Sequence, residues 1–434
     1  MFKRILIIVL VLLLAGCVGY SWQPAVAPIA PPAAEGFPAL LVAQGAQLAA
    51  AGNCASCHSI EGGPAYGGGL GMETGFGLVY STNISPDPQT GIGRWSEAAF
   101  ARAMHEGVRR DGAYLLPAFP YTHFAKLSDG DVAALYAFFM TRPAVTAPAR
   151  ENTIKFPFNI RSLLAGWNLL FFERGVYRSV AAKSDEWNRG AYLAEGIAHC
   201  AACHTPRNRF GAELGSSPYA GARIGGWLAP ALNAQNPAPM PWTQQDLYDY
   251  LRKGKSERHG AAAGAMAVVV HRGLAKLPDA DIQAIASYFA DSNGSSARAP
   301  GAAAALALAM SRRLVDAGKE TEPGANLYLA ACAYCHYSAA PQPGAVHGSL
   351  ALSTALNAAD PTNFIQTVLQ GIGGAARGGR AYMPGFAGLL SDADIAQLAA
   401  YLRRTRTDLP AWPDLPASVT AIASASRTPI PTPP

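Results

Sequence analysis

Three short stretches decide the reading of this chain: Cys54-Ala-Ser-Cys57-His58, Cys200-Ala-Ala-Cys203-His204 and Cys332-Ala-Tyr-Cys335-His336. Each is Cys-x-x-Cys-His, the attachment pattern of a c-type haem. The spacing follows from the chemistry: two thiols add to the two vinyl groups of one porphyrin, and the adjacent His reaches the iron from the same face. A zinc ribbon wants its second cysteine pair about 15–20 residues on, whereas these pairs recur at a period of roughly 140 residues. A thioredoxin-type motif lacks the following His. The pattern therefore predicts three covalently bound haem c groups, on Cys54 and Cys57, Cys200 and Cys203, and Cys332 and Cys335. His58, His204 and His336 are the expected proximal iron ligands. These motifs use six of the seven cysteines, and no disulfide is expected.

The similarity extends outward from the motifs. Before each runs an apolar segment opening on Gly: Gly45-Ala-Gln-Leu-Ala, Gly190-Ala-Tyr-Leu-Ala and Gly324-Ala-Asn-Leu-Tyr. Well after each comes a second helical pattern, 127–139, 277–289 and 390–402, with apolar residues at i, i+3, i+4 and i+7. Ser128, Ser391 and the matching Pro278 stand where an N-cap or first turn belongs. A middle helix is expected from Trp95, from Trp242 and, less clearly, from Asn363. Few β-branched alternations occur, so the predicted fold class is all-α, with three tandem domains each wrapped around one haem. The expected divisions are domains at 39–142, 184–292 and 319–408, connectors at 143–183 and 293–318, and a Pro-rich tail at 409–434.

The seventh cysteine ends a different pattern. Lys3 and Arg4 precede an unbroken aliphatic run, Ile5 to Leu14, that stops at Leu14-Ala15-Gly16-Cys17. Ten residues are too few to span a bilayer as a helix, which needs about 20, but they suit a signal-peptide core. The ending resembles a lipobox, so residues 1–16 read as a lipoprotein signal peptide and Cys17 as the lipidation site; an ordinary signal peptide is the alternative. Residues 17–38 read as a Pro/Ala-rich tether. Export and a lipid anchor on the periplasmic side of the membrane follow. The net charge of +5 carries no dense Lys/Arg cluster, which gives no support to nucleic-acid binding.

The sixth iron ligand separates electron carriers from catalysts. Met266 in Gly264-Ala-Met-Ala and Met383 in Tyr382-Met-Pro-Gly fall between the middle and last helices, and are the expected distal ligands of the second and third haems. Met240 reads as core. The matching segment of the first domain is Leu116-Pro-Ala-Phe119-Pro-Tyr121-Thr-His123, with Phe119 where a ligand belongs. His123 is the favoured distal ligand there, and an open iron position is the rival. Met104 reads as core and His105 as solvated, while His199, His259, His271 and His347 read as surface or loop residues. Asn83, Arg94, Trp95, Asn233 and Asn357 are candidates to hold propionates. Gly67-Gly-Gly69 reads as a plain loop, and the apolar segment 163–172 as a connector or a docking site.

Ser81-Thr-Asn-Ile-Ser-Pro-Asp-Pro-Gln-Thr-Gly-Ile-Gly-Arg-Trp95, Glu186-Trp-Asn-Arg-Gly-Ala-Tyr192, the extended second motif through Arg207 and the Met383-Pro-Gly-Phe386 loop resemble the triheme cytochrome c subunits of bacterial membrane-bound dehydrogenases. The resemblance covers essentially the whole mature chain. It implies three cytochrome c domains relaying electrons from a catalytic dehydrogenase subunit to ubiquinone or a terminal oxidase, without substrate chemistry of their own. Many alcohol-dehydrogenase-type members carry Met in the first Pro-Ala-x-Pro-Tyr loop, and Phe119 tilts the likeness toward cytochromes paired with molybdenum hydroxylases. A peroxidase-like haem enzyme acting at an open first haem is the alternative from another class.

Overall fold

In the computed structural model, which describes residues 2, 21–311, 322–336, 349–374 and 380–427, the same helix crossing is built three times. Helix α1 (Ala39–Ala51) leads to the first motif, α2 (Glu97–Glu106) follows, and α3 (Asp129–Met140) packs back across α1. A Cβ built on Gly45 of α1 falls 1.9 Å from the Ala134 carbonyl oxygen and 2.7 Å from Phe138 Cβ. Only glycine allows backbones to approach this closely. Unit 1 also contains α4 (Leu164–Phe171).

The later crossings repeat the arrangement. Helix α5 (Asp185–Glu195) meets α7 (Asp279–Ser292) after the middle helix α6 (Gln244–Lys253), and α8 (Pro323–Ala331) meets α10 (Asp392–Arg406) after α9 (Thr362–Gln370). A Cβ on Gly190 falls 1.9 Å from the Ala284 oxygen and 3.0 Å from Tyr288 Cβ; on Gly324 it falls 2.5 Å from the Gln397 oxygen and 2.7 Å from Tyr401 Cβ. In each case the second contact lies four residues after the first. These glycines are thus crossing points: Gly45 and Gly190 sit inside their helices, and only Gly324 lies near a helix start, as expected.

Local chemistry sets the helix ends. Ser128, Thr243 and Ser391 each accept a hydrogen bond from the backbone N–H three residues on, and Thr243 and Ser391 complete capping boxes with Asp246 and Asp394. Pro278 caps α7 through its fixed backbone angle alone. Gly107 and Gly254 close α2 and α6 in the left-handed conformation, at φ 65° and 75°.

By contacts the chain forms two compact units. Unit 1 takes the residues up to Lys183, with Ala191–Ala202 and Arg207–Glu213; unit 2 takes Ser184–Gly190, Cys203–Pro206 and Leu214 onward. The core of unit 2 gathers Leu356, Ile365, Ile395 and Leu398 with Trp412, Val419 and Ala423. The residues expected to be a Pro-rich tail are part of it. Leu415, Val419 and Ala423, at i, i+4 and i+8, are the buried stripe of a helix over Leu415–Arg427. The expected Ala-rich connector is likewise helical over Ser295–Ser311.

The fold is predominantly helical, but it is not purely so. Four two-stranded antiparallel hairpins occur among the described residues: β1–β2 (Gly71–Thr74, Gly77–Tyr80), β3–β4 (Ala222–Ile224, Trp227–Ala229), β5–β6 (Lys255–Ser256, Gly260–Ala261) and β7–β8 (Ile372–Gly374, Arg380–Met383). Strands of two to four residues are too short to show an alternating pattern.

The tether also differs from expectation. From Gln23 onward it is strapped to unit 1: Gln23 Nε2 donates to the Tyr114 hydroxyl at 3.0 Å, Arg102 Nη1 to the Pro24 carbonyl at 2.6 Å, and Val26 N to the Arg110 carbonyl at 2.8 Å. An Ala/Pro composition predicts extension but is silent about the basic residues that bind its carbonyls. Cys17 and residues 3–16 lie outside the described residues.

Candidate haem attachment sites

The first two motifs are held by one clamp. Asn53 and His199, each just before a first cysteine, adopt left-handed φ of 50° and 38°, which breaks the preceding helix and starts a new turn. That turn is helical over Cys54–Cys57 and over Ala201–His204. His58 Nδ1 bonds the Thr82 carbonyl at 2.7 Å, and His204 Nδ1 bonds the Pro230 carbonyl at 2.7 Å. The His58 carbonyl accepts from Gly68 N at 2.8 Å, and the His204 carbonyl from Gly221 N at 2.8 Å. Gly68 and Gly221 have φ of +76° and +87°, and a Cβ on Gly68 would fall 2.4 Å from the Thr82 carbonyl carbon. Gly68 is therefore a clamp residue, although its Gly-Gly-Gly context reads as a plain loop.

The clamp fixes the imidazole chemistry. A carbonyl accepts only, so Nδ1 carries the proton and Nε2 keeps its lone pair for a metal. Burial pushes both His58 and His204 below the ordinary histidine value, and their carbonyl hydrogen bonds offset this only in part. Both are thus neutral at neutral pH, the state an iron ligand needs.

At the first and third motifs burial disfavours the thiolate that a bound metal ion would need. Burial, with the Cys57 charge adding, pushes the Cys54 thiol up to about 12, and burial pushes Cys332 up to about 11. Neither forms a disulfide, and no group of three or more His, Cys, Asp or Glu that could hold a metal ion occurs among the described residues. The third motif is helical over Ala333–His336, with His336 N on the Cys332 carbonyl at 3.0 Å. Residues 337–348, which follow it, lie outside the described residues.

The distal candidates fare unequally. Met266 is half-buried in a short helix, Gly264–Val268, beside Ala262, Ala267 and Val270. Met383 ends strand β8. Both stand between the middle and last helices as expected, but neither lies on an irregular loop. Met104 and Met240 are core residues.

His123, the favoured distal ligand of the first site, is engaged on both ring nitrogens. It is buried, its Nδ1 bonds the Glu195 carbonyl at 2.8 Å, and its Nε2 bonds Glu213 Oε1 at 2.8 Å. Both ring nitrogens are therefore taken. The physical reason is Glu213. Burial pushes its carboxyl up, but His123, Arg207 and His199 more than offset this and hold it below the usual carboxylate value. Phe119 packs edge-on against Phe124, with ring centroids 5.2 Å apart.

Other histidines also depart from expectation. His259 is buried and stacks on Trp242 at 3.8 Å and 12°. His199 bonds the Gly52 carbonyl at 3.3 Å, and burial lowers it to about 4, with the His123 charge adding. His105 lies 3.7 Å from Asp129 with a largely covered side chain. His271 sits in a π-helical turn, Val269–Gly273, and His347 lies outside the described residues. Asn83, Asn233 and Asn357 each donate an amide N–H to backbone carbonyls, of Val145, of Pro218 and of Ala351 and Ser353 respectively, and so pin loops.

Comparison with known proteins agrees with this chemistry. Residues 42–143 match the cytochrome c family model, and residues 319–402 match the model for subunit III of cbb3-type cytochrome c oxidase. The chain is 37% identical over 381 residues to the fructose dehydrogenase cytochrome subunit of Gluconobacter japonicus, covering 83% of this chain and 78% of that protein. It is 36% identical to the gluconate 2-dehydrogenase cytochrome c subunit of Pantoea cypripedii, covering 84% and 85%. It is 47% identical over 397 residues to a nicotinate dehydrogenase subunit of Pseudomonas putida, covering 91% of this chain but only 33% of that longer protein. These likenesses define a c-type cytochrome whose work is electron transfer. The chain belongs to the family of cytochrome c subunits of bacterial membrane dehydrogenases.

Proposed function

We propose that this chain carries three covalent haem c groups and relays electrons from a catalytic dehydrogenase subunit to ubiquinone or a terminal oxidase, tethered by lipid at Cys17 to the periplasmic face of the cell membrane. The observation that carries the reading is the repeated clamp: two motifs with neutral, carbonyl-bonded histidines, each aiming Nε2 away from its hydrogen bond. Each Cys pair would hold a haem by thioether bonds, and His58, His204 and His336 would ligate the irons. Bound haem supplies one-electron redox chemistry without bond-making on a substrate. The protein's part is to keep the imidazoles neutral, to exclude water and to supply Met266 and Met383 as the thioether ligands of the second and third sites. The three motifs each nucleate a cytochrome c domain around the glycine crossing.

The partner is a dehydrogenase acting on an N-heteroaromatic acid, in keeping with the 47% identity to the nicotinate dehydrogenase protein of Pseudomonas putida. A molybdenum hydroxylase is the favoured type over a quinoprotein or flavoprotein. The test is purification of the membrane complex, identification of its subunits, and anaerobic addition of nicotinate, ethanol or gluconate. Reduction of the haem absorbance by nicotinate alone is the expected result; reduction by ethanol or gluconate alone replaces this partner with another class. A second reading, an exchangeable iron position at the first motif, is favoured by Phe119 and by the engaged nitrogens of His123. Rapid carbon monoxide binding at one haem of the native protein would establish it.

A further inference from the structure

Helix α4 is built inside out. Its inward face carries Ala165 and Asn168, and Asn168 Oδ1 accepts the Tyr121 hydroxyl at 2.6 Å. Its outward face, with the residue just before it, carries Leu163, Leu169 and Leu170, which are 55%, 69% and 72% exposed. A helix that ends its burial at the protein surface places these residues the other way round. Phe156 and Ile160, earlier in the same segment, are also exposed, and the Phe171 ring stands 5.9 Å from that of the exposed Phe210. All of these residues belong to unit 1. An exposed apolar surface of this extent is an interaction site.

Where the N-terminal strap is fastened tells what covers it. Gln23 is bonded to Tyr114, and Tyr114 packs with Val108 against Ala165 and Leu164 of α4. Arg161, at the start of the same segment, reaches the Tyr114 carbonyl at 3.5 Å. Cys17 lies six residues before Gln23, a reach of at most about 20 Å. The chain therefore arrives at α4 from its apolar, acylated end. Trp22, beside Gln23, is exposed, as an aromatic residue at a bilayer interface would be. Residues 152–180 carry four basic residues, Lys155, Arg161, Arg174 and Arg178, and a single carboxylate, Glu173. Apolar side chains flanked by basic ones are the pattern of an interfacial helix on anionic lipid.

We propose that this face of unit 1 lies on an anionic lipid bilayer, with Leu163, Leu169 and Leu170 among the acyl chains and the exposed basic side chains of the segment, such as Arg178, at the headgroups. A catalytic subunit on the same face would have to share it with the membrane-bound end of the chain. The proposal rests on the reading of the N-terminus as membrane-bound, and its test separates the two. In the full-length chain, matured with its haems in its own membrane, Leu170 is replaced by the photoreactive p-benzoylphenylalanine. The exposed Leu409 of unit 2 is replaced in the same way as the control, and covalent haem content verifies folding. After irradiation, a mass increase of one phospholipid at position 170, at least tenfold above position 409, is expected. Cross-linking of position 170 to a dehydrogenase subunit or to a second copy overturns the proposal in favour of a protein interface, and no capture above the control overturns it outright. The mass of the N-terminal peptide reads the anchor independently. Lipid capture with an unmodified Cys17 keeps the docked face and removes the anchor; an acylated Cys17 without capture does the reverse.

Discussion

The first and second motifs are alike at their histidines and unlike in the segments where a second iron ligand is expected. His58 and His204 sit in matching clamps with the same 2.7 Å carbonyl bond. In the segments between the middle and last helices, Met266 stands in a short helix, whereas Phe119 leans on Phe124 and the nearby His123 bonds Glu195 and Glu213. The difference teaches that attachment is local geometry, readily copied, while the distal side depends on what the rest of the unit buries beside it. In unit 1 a partly buried carboxylate, Glu213, takes that histidine as its partner.

The hardest blow to the shared half is a side chain at a crossing. Gly45→Leu and Gly190→Leu each force an atom into a carbonyl oxygen at 1.9 Å. Each should cost about 3 kcal/mol or more and lose covalent haem at its own motif, read by intact mass. Gly324→Leu, at 2.5 Å, should cost less; equal losses at all three would mean that the crossings are not graded by contact distance.

The unlike half is broken next at Glu213. Glu213→Gln leaves His123 with a weakened partner and should lower stability by about 2–3 kcal/mol at neutral pH. The sign with pH is set by the lowered carboxyl: its stabilisation is complete above the ordinary value of 4.5 and is lost as pH falls through its folded value. Thermal midpoints of the two proteins should therefore converge in acid and stay apart at pH 7. In the same samples His123→Ala should leave the visible haem bands unchanged; loss of a band would restore His123 as an iron ligand.

Redox titration sharpens the contrast further. Met266→Ala and Met383→Ala should each lower one potential by a sizeable part of the roughly 0.8 V that axial ligands span, without loss of covalent haem. Phe119→Met should raise the first potential, and an unchanged titration would separate that position from the iron. The smallest effect concerns caps. Ser128→Ala should cost α3 about 1 kcal/mol, whereas Pro278→Ala, which removes no side-chain cap, should stay within about 0.5 kcal/mol.

The attachment residues are legible in sequence because thioether chemistry imposes a contiguous pattern, and the last helices because Ser128 and Ser391 mark their starts. The crossing glycines are visible as a repeat, but their purpose is not, since the carbonyls of Ala134 and Ala284 they touch lie about 90 residues away in sequence. Thr82 and Pro230 act through backbone oxygen, which any residue supplies, so no residue type advertises them. His123 reads as a ligand only while its partner Glu213, distant in the chain, is out of view. The helix over Leu415–Arg427 is hidden by neighbouring prolines, although Leu415, Val419 and Ala423 hold its period.

One consequence follows from the glycine crossings. Because the helices touch through backbone, the crossings themselves make no contact with residues 119, 266 or 383. Substitutions at positions such as 119, 266 or 383 can then be accepted one at a time, without compensation at the helix pair. If those positions ligate the irons as proposed, a crossing repeated in this way lets each potential be reset separately on one scaffold.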